Sequence, residues 1–273
     1  IIRELERDLG CPIFDRTSRG MVPTKRGEEF LRYAKAILVQ EEQIEALCQQ
    51  DAGRTLTVSL AAPRASYISY GFASFMRQMT DYPTMKVDYR ETNSRDIIRG
   101  VSGKAFDLGI VRFQSLYVPY YQKMLQDENL ESQDLWEFSC NLLMSASHPL
   151  AERGDLTYLD LGDYVELVQG DTKAPSFSFE PEDSPSVSGS SRKIISIYDR
   201  GSQFELLRQL PGAFMWTSPV PYELLNSLSL IQKPCTYPGN LHKDILVYRN
   251  GYRMSREEKE LVNCLRRLVS QLS

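Results

Sequence analysis

The stretch "CPIFDRTSRGMVPTKRGEEF", Cys11–Phe30, decides how the chain is read. It gathers Arg16, Arg19, Lys25 and Arg26 in a protein whose formal net charge is -4. Ile13 and Phe14 can reach a core, Arg16 to Gly20 make a polar turn, and Met21 and Val22 resume the apolar pattern. This spacing predicts two short strands around a basic tip, a wing. Thr24 stands where a helix N-cap belongs, and the run from Lys25 to Gln50 predicts one long helix behind it.

Before the wing, IIRELERDLG carries Ile2, Leu5 and Leu9 at helical spacing, and Gly10 stops the pattern as glycine commonly ends a helix. This helix has neither methionine nor cap at its start, so the expectation is a fragment, or the ordered part, of a longer protein. Behind the wing, the long helix has an apolar stripe of Phe30 or Leu31, Ala34, Ile37 or Leu38, then Ile44, and a charged back. Such a helix predicts half of a coiled coil, with Leu31, Ala34, Leu38 and Ile44 as dimerisation residues; packing on its own chain is the alternative.

The run IRELERDLGCPIFDRTSRGMVPTKRGEEFLRYAKAIL resembles the second half of the winged helix-turn-helix of LysR-type transcriptional regulators, followed by their long linker helix. The matches are Leu5, Glu6, Leu9, Gly10, Pro12, Phe14, Arg16, Arg19 and Thr24 at fixed spacing. The resemblance implies double-stranded DNA as a partner. Arg16, Arg19 and Lys25 are then phosphate or minor-groove contacts, Arg3 lies on the remaining recognition helix, and Thr17 and Thr24 complete the DNA-contacting set. The base-reading front of that helix is absent from the sequence, so this stretch holds DNA without choosing an operator.

From Arg54 onward strands and helices alternate: TLTVSLA, ASYISYGFASFMRQM, MKVDYRE, SRDIIRGVSG, FDLGIV. A second such unit begins near Trp136, with EFSCNLLMSA, DYVELVQ and RKIISIYD as strands, GSQFELLRQLPG as a helix and AFMWTS as a strand. This order predicts an α/β protein with mostly parallel sheets. KDILVYR returns to the first sheet, and the closing helix opens on Ser255 and Glu258 at capping-box spacing.

The resemblance continues here through the TLTVSLA strand, Phe75, Tyr82-Pro83, FDLGIV and His148-Pro149-Leu150-Ala151. It implies a two-subdomain, periplasmic-binding-protein-like (type 2) effector domain, a small-molecule effector in its cleft, and a homodimer or homotetramer. The expected division is 1–24, the C-terminal part of a winged helix-turn-helix; 25–53, a linker helix; and 54–273, an effector domain. The last divides into 54–134 with 238–273, and 135–237. Where the family usually has a helix, KAPSFSFEPEDSPSVSGSSRK predicts an exposed loop over 173–193.

In open α/β sheets ligands sit beyond the carboxyl ends of strands. Those positions select Arg64, Ser66, Asn93, Ser94 and Arg112 from the first subdomain, and Ser145, Arg200, Ser202, Trp216 and Thr217 from the second. Arginines beside helix starts favour a small anion or carboxylate, with Trp216, Tyr67 and Phe113 available to cover an apolar body. Helix capping is the plainer role for Ser66, Ser94 and Ser202.

Several classes are excluded. A pI near 5.4 gives no whole-molecule attraction to nucleic acid, so any DNA contact is local. No apolar run can span a membrane and no signal core opens the chain, which predicts a cytoplasmic protein without a membrane partner. The five cysteines are scattered singly and read as reduced, a redox pair between Cys140 and Cys235 being the alternative. RGVSGKAF fails as a P-loop at Ile98 and Ala105, and GxSxG, HExxH and GxGxxG are missing. With only His148 and His242 as histidines, no enzyme, metal or cofactor is expected. A solute-binding protein of an importer is the alternative reading and has no use for a basic wing; a cleft enzyme is the more distant one.

Overall fold

The computed structural model describes residues 2–17, 20–48, 55–171, 193–236 and 239–273, and of residues 3, 4, 16, 17, 38, 39 and 41–48 the backbone alone. The side chains of Arg3, Arg16, Thr17, Leu38 and Ile44, the whole of Arg19, and the 173–193 loop up to residue 192 therefore lie outside the described residues. The chain divides into two compact units, Ile1–Thr55 and Leu56–Ser273.

In the first unit, α1 (Ile2–Leu9) precedes a hairpin of β1 (Phe14–Thr17) and β2 (Gly20–Pro23), antiparallel with Phe14 opposite Pro23, and then α2 (Lys25–Cys48). The wing expected from the sequence is this hairpin. Glu6 fastens α1 to it, its Oε1 accepting from the N–H groups of Ile13 (2.8 Å) and Phe14 (3.0 Å). Thr24 caps α2: its Oγ1 accepts from the Gly27 N–H at 2.9 Å and donates to the Pro12 carbonyl at 2.9 Å. A single hydroxyl thus satisfies an orphan donor of the helix start and ties the helix to the segment entering the wing.

The second unit runs β3 (Thr55–Ala62), α3 (Ser66–Gln78), β4 (Thr84–Glu91), α4 (Ser94–Ser102), β5 (Leu108–Gln114), α5 (Val118–Asp127) and β6 (Leu130–Ser139). It continues with β7 (Asn141–Ser145), β8 (Leu156–Thr157), β9 (Val165–Gln169), β10 (Lys193–Ile197), α6 (Arg200–Gln209), β11 (Ala213–Thr217) and α7 (Tyr222–Leu228). It closes with β12 (Leu230–Lys233), β13 (Cys235–Thr236), β14 (Leu241–Arg249) and α8 (Arg256–Leu272). One five-stranded sheet has the order β4-β3-β5-β14-β6, the other β10-β9-β11-β7-β12, and β8 pairs with β13 separately.

Within the first sheet β3 and β5 are parallel, and β14 lies antiparallel between β5 and β6. In the second, β9, β10 and β11 are parallel and β7 is antiparallel to both β11 and β12. The sequence reading of Glu137–Ala146 as one strand needs correction. The chain leaves the first sheet after Ser139 and enters the second at Asn141, so the apolar run belongs to two strands of different sheets. The crossing falls at Cys140, where the Asn240 side chain clips both strands: its Oδ1 accepts from the Cys140 N–H at 3.1 Å and its Nδ2 donates to the Cys140 carbonyl at 2.7 Å.

A register shift between Asp244 and Ile245 sets Trp136 opposite Asp244 and Asp134 opposite Ile245. Leu135 is the extra residue of this bulge, which explains why Leu135 and Trp136 are both buried although neighbours on a regular strand face opposite ways. The α8 capping box forms as the spacing predicts, with reciprocal bonds between Ser255 and Glu258.

Candidate functional site

The carboxyl ends of β3 and β4 in one sheet meet those of β9 and β10 in the other, and two arginines cross between them. Arg64, in the turn from β3 to α3, donates through Nη1 to Asp171 Oδ1 at 2.8 Å and through Nη2 to the Tyr198 carbonyl at 3.0 Å. Asp171 follows β9 and Tyr198 follows β10. In the opposite direction Arg200, the first residue of α6, pairs with Glu91 at the end of β4, and its Nη2 donates to Ser66 Oγ at 2.9 Å. Tyr89 steadies the same carboxylate, its hydroxyl donating to Glu91 Oε1 at 3.1 Å.

Helix α3 begins here without a side-chain cap, since Ala65 occupies the N-cap position. The first N–H groups of a 13-residue helix thus start beside Ser66 and the Arg200 guanidinium. Three carboxylates share the neighbourhood: Glu91, Asp171 and Asp199. Asp199 is held below the usual carboxylate range by hydrogen bonds from Ser202, and Arg64 contributes in the same direction. The two cross-sheet arginines are therefore already matched by acidic groups of their own chain.

Of the residues selected from the sequence, Arg64, Ser66 and Arg200 meet at these facing ends. The others have different tasks. The true caps of α4 and α6 are Asn93, which accepts from the Asp96 N–H, and Asp199, which accepts from the Ser202 N–H at 2.8 Å. The capping role considered for Ser66, Ser94 and Ser202 is thus corrected at all three helices: each serine lies inside the helix, one or more residues past the cap position. Ser94 is buried, its Oγ donating to the Arg112 carbonyl at 2.7 Å and accepting from the Arg112 N–H at 3.2 Å. Ser145 Oγ bonds Ser147 within its turn, and Thr217 Oγ1 accepts from Gln232 Nε2 at 2.7 Å. Trp216 is 8% exposed and belongs to the apolar core with Leu142, Met144 and Phe214.

Arg112 requires a firmer correction. It is 4% exposed and forms a bidentate pair with Asp244, which is 0% exposed: Nε to Oδ1 at 2.8 Å and Nη2 to Oδ2 at 2.6 Å. Tyr67 donates to the same Oδ2 at 2.6 Å, and the guanidinium carbon stands 4.8 Å from the Phe138 ring centroid. Burial by itself disfavours the charged guanidinium, but the Asp244 carboxylate outweighs it and holds Arg112 above its ordinary range. With its donors committed inside the core, Arg112 joins the two strands rather than facing a ligand. Tyr67 and Phe113 are buried beside it, Phe113 stacked on Tyr121 at 4.4 Å, so neither covers a cleft ligand.

Beside this pair, burial pushes the Cys140 thiol up to about 12 and the Cys235 thiol up to about 11, so both stay protonated at neutral pH. Cys11, Cys140, Cys235 and Cys264 are free thiols. His148 Nδ1 accepts from the Leu150 N–H at 3.0 Å, which holds the turn that follows β7. Among the described residues no group of three or more His, Cys, Asp or Glu could hold a metal ion, and no helix is long and apolar enough to cross a membrane.

His242, fully buried, is pushed down to about 4 by burial, with Arg112 acting in the same sense. The folded protein holds this imidazole neutral, while the unfolded chain takes up a proton near 6.5. Its folded-state pKa is the lower one, so its contribution is intact above 6.5 and is lost as pH falls from about 6.5 toward 4. Between pH 7 and 5 this amounts to roughly 2 kcal/mol. Urea unfolding at the two pH values measures it, and a His242→Gln variant should lose roughly 2 kcal/mol less over the same interval. Equal losses in both proteins would take the effect away from His242.

Residues 49–172 match the LysR substrate binding domain, a match that takes in β3 to β9 of the two-sheet unit. Over those residues, fewer than half of the 273, the chain is similar to the substrate-binding domains of LysR-type regulators. It is similar to the uncharacterized HTH-type transcriptional regulator YnfL of Escherichia coli (27% identical, over 59% of this chain and 51% of that protein). It is also similar to the HTH-type transcriptional regulator CbbR of Xanthobacter flavus (30% identical, over 40% of this chain and 33% of that protein). The chain thus spans between 33% and 51% of the length of these curated relatives. Among solved structures it shares its fold with HinK, a LysR family transcriptional regulator from Pseudomonas aeruginosa, at TM-score 0.55 and 15% identity over 100% of this chain and 88% of that one. Full-length BenM shares the fold at TM-score 0.53 and 18% identity, over 99% of this chain and 86% of that one.

Proposed function

We propose that the chain is part of a cytoplasmic DNA-binding transcriptional regulator, and that a small-molecule effector bound between the two sheets of its 56–273 unit controls it. Of the expected subdomains, 54–134 with 238–273 and 135–237, the first crossing moves from 134/135 to Cys140, because β6 stays in the first sheet to Ser139. The observation that carries the effector site is the 2.9 Å bond from Arg200 to Ser66, which places a cation of one sheet on the uncapped helix start of the other. A small carboxylate is the ligand class that such a pairing of guanidinium and helix N–H groups favours. Its entry competes with Glu91 and Asp171 for the same two arginines.

Unit 1 supplies the DNA contacts in this reading. Lys25 and Arg26 are exposed at the start of α2, where they can hold phosphates while a recognition helix lies in the major groove. The homodimer or homotetramer forms through α2, on which Ile37 is 64% and Tyr33 61% exposed in the single chain, with Leu31 and Ala34 half-buried between them. Effector binding acts as a population shift, favouring one arrangement of the two sheets and through it one arrangement of the paired DNA-binding units.

A thermal-shift screen against small carboxylates, amino acids and aromatic acids tests the effector site. A carboxylate at 100 times its Kd should stabilise the protein by about 2.7 kcal/mol. Ser66→Phe should fold and lose that shift, because the ring fills the space beside the helix start. A full shift in the variant would move the ligand elsewhere, and no shift with any carboxylate would end the anionic reading.

A further inference from the structure

We propose that Glu91 and Asp171 form a built-in latch: two carboxylates of the chain occupy the cations of the effector site and hold the facing ends of the two sheets together when no effector is bound. The inference deepens the effector-site reading above by stating what fills the site at rest.

The geometry is reciprocal. Arg64 belongs to the first sheet and reaches Asp171 in the second, whereas Arg200 belongs to the second and reaches Glu91 in the first. Two bridges of opposite direction resist both sliding and opening, which a single pair would not. Each arginine also makes a second bond across the same gap, Arg64 to the Tyr198 carbonyl and Arg200 to Ser66 Oγ. The side chains are only 12–26% exposed, so water and salt screen these pairs less than surface pairs.

The latch also has a built acceptor end. Tyr89 donates to Glu91 and thereby fixes one carboxylate toward Arg200. Below the bridges, the two crossing strands are clipped by Asn240 on Cys140, so relative motion of the sheets is a rotation about that clip with Arg64 and Arg200 at the moving edge. An anionic effector therefore enters by taking an arginine from Asp171 or Glu91. It replaces an internal contact instead of creating a new one, and its net affinity is reduced by the population of the latched form.

Electron-electron distance measurement on the ligand-free chain tests this directly. Spin labels go on Arg99→Cys in α4 and Glu205→Cys in α6, both exposed positions, in a background carrying Cys11→Ser and Cys48→Ser. The expected result is one short, narrow distance. Glu91→Gln with Asp171→Asn should lower the ratio of closed to open protein by about tenfold for each pair removed and give a longer, broader distribution. The swap of Glu91→Arg with Arg200→Glu should restore the narrow distance, and Asp88→Asn, an exposed carboxylate on the same strand, should leave it unchanged.

A wild-type distribution already broad, or a double variant indistinguishable from wild type, overturns the latch, as does opening by Asp88→Asn alone. Far-ultraviolet circular dichroism confirms that each variant is folded before its distance is read. The outcome is independent of effector identity: a carboxylate screen without a hit would remove the effector reading and leave the latch standing.

Discussion

Asp244→Ala is expected to destabilise the 56–273 unit by about 3–5 kcal/mol, the cost of leaving a buried charge without its partner. The substitution strips Arg112 of both charge-assisted bonds and leaves the Tyr67 hydroxyl without the acceptor it holds at 2.6 Å. The guanidinium cannot turn to water, since its side chain is only 5% exposed and the Phe138 ring lies against it. Replacing both members, with Arg112→Met and Asp244→Leu, should recover the part of the loss due to the unpaired charge, because an apolar pair of similar size carries no desolvation cost and only the Tyr67 hydroxyl stays without an acceptor. Urea unfolding of wild type, single and double variants gives the comparison. A single-variant loss below about 1 kcal/mol would mean that the arginine had found solvent, and would return Arg112 to the ligand-facing set.

The Arg112–Asp244 pair also marks where the sequence was readable and where it was not. Arg112 is the one charged residue of LGIVRFQ and Asp244 the one acidic residue of LHKDILVYR, and these opposite charges are the signal that two strands meet with a buried pair. Arg112 falls near a strand's carboxyl end, where ligands sit, and its partner lies 132 residues away, beyond any local pattern. Local patterns were followed more closely. The wing, the Thr24 cap, the β3 strand and the Ser255–Glu258 box depend on neighbours within a few residues, and the structure has all four.

Failures occurred where tertiary contacts override local preference. Serine near a helix start suggests a cap, yet Asn93 and Asp199 stand one and three residues before Ser94 and Ser202 and have the stronger geometry. Helix α5 has no helical signal at its start, where LYVPYYQ carries a proline and three tyrosines, yet Pro119 sits in its first turn, where a missing N–H costs nothing. Asp171 and Glu91 carry no motif at all. They become part of the site only when two sheets are brought face to face.

Gly27→Ala should destabilise the 1–55 unit by about 3 kcal/mol, the upper end of what overpacking costs. A Cβ built on Gly27 would lie 1.8 Å from the Ile13 carbonyl oxygen and 2.8 Å from its carbonyl carbon, and backbone cannot swing aside as a side chain tip can. The absence of a side chain at this position lets α2 press onto the segment that enters the wing. Two bonds depend on that approach: the Thr24 N–H to the Ile13 carbonyl at 2.9 Å and the Gly27 N–H to Thr24 Oγ1 at 2.9 Å. Displacing Ile13 breaks the first directly and tilts the cap out of line with the second. It also loosens Glu6, whose Oε1 accepts from the Ile13 N–H on the other side of the same residue. Amide hydrogen exchange should therefore speed up together at Ile13, Phe14, Thr24 and Gly27, with the amides of β5 and β14 in the other unit unchanged. Thr24→Ala removes the cap without moving the backbone and should cost about 1 kcal/mol with faster exchange at Gly27 alone. If Gly27→Ala exchanged like Thr24→Ala, the helix would have room to retreat from Ile13, and the close approach would not be what holds the wing in place.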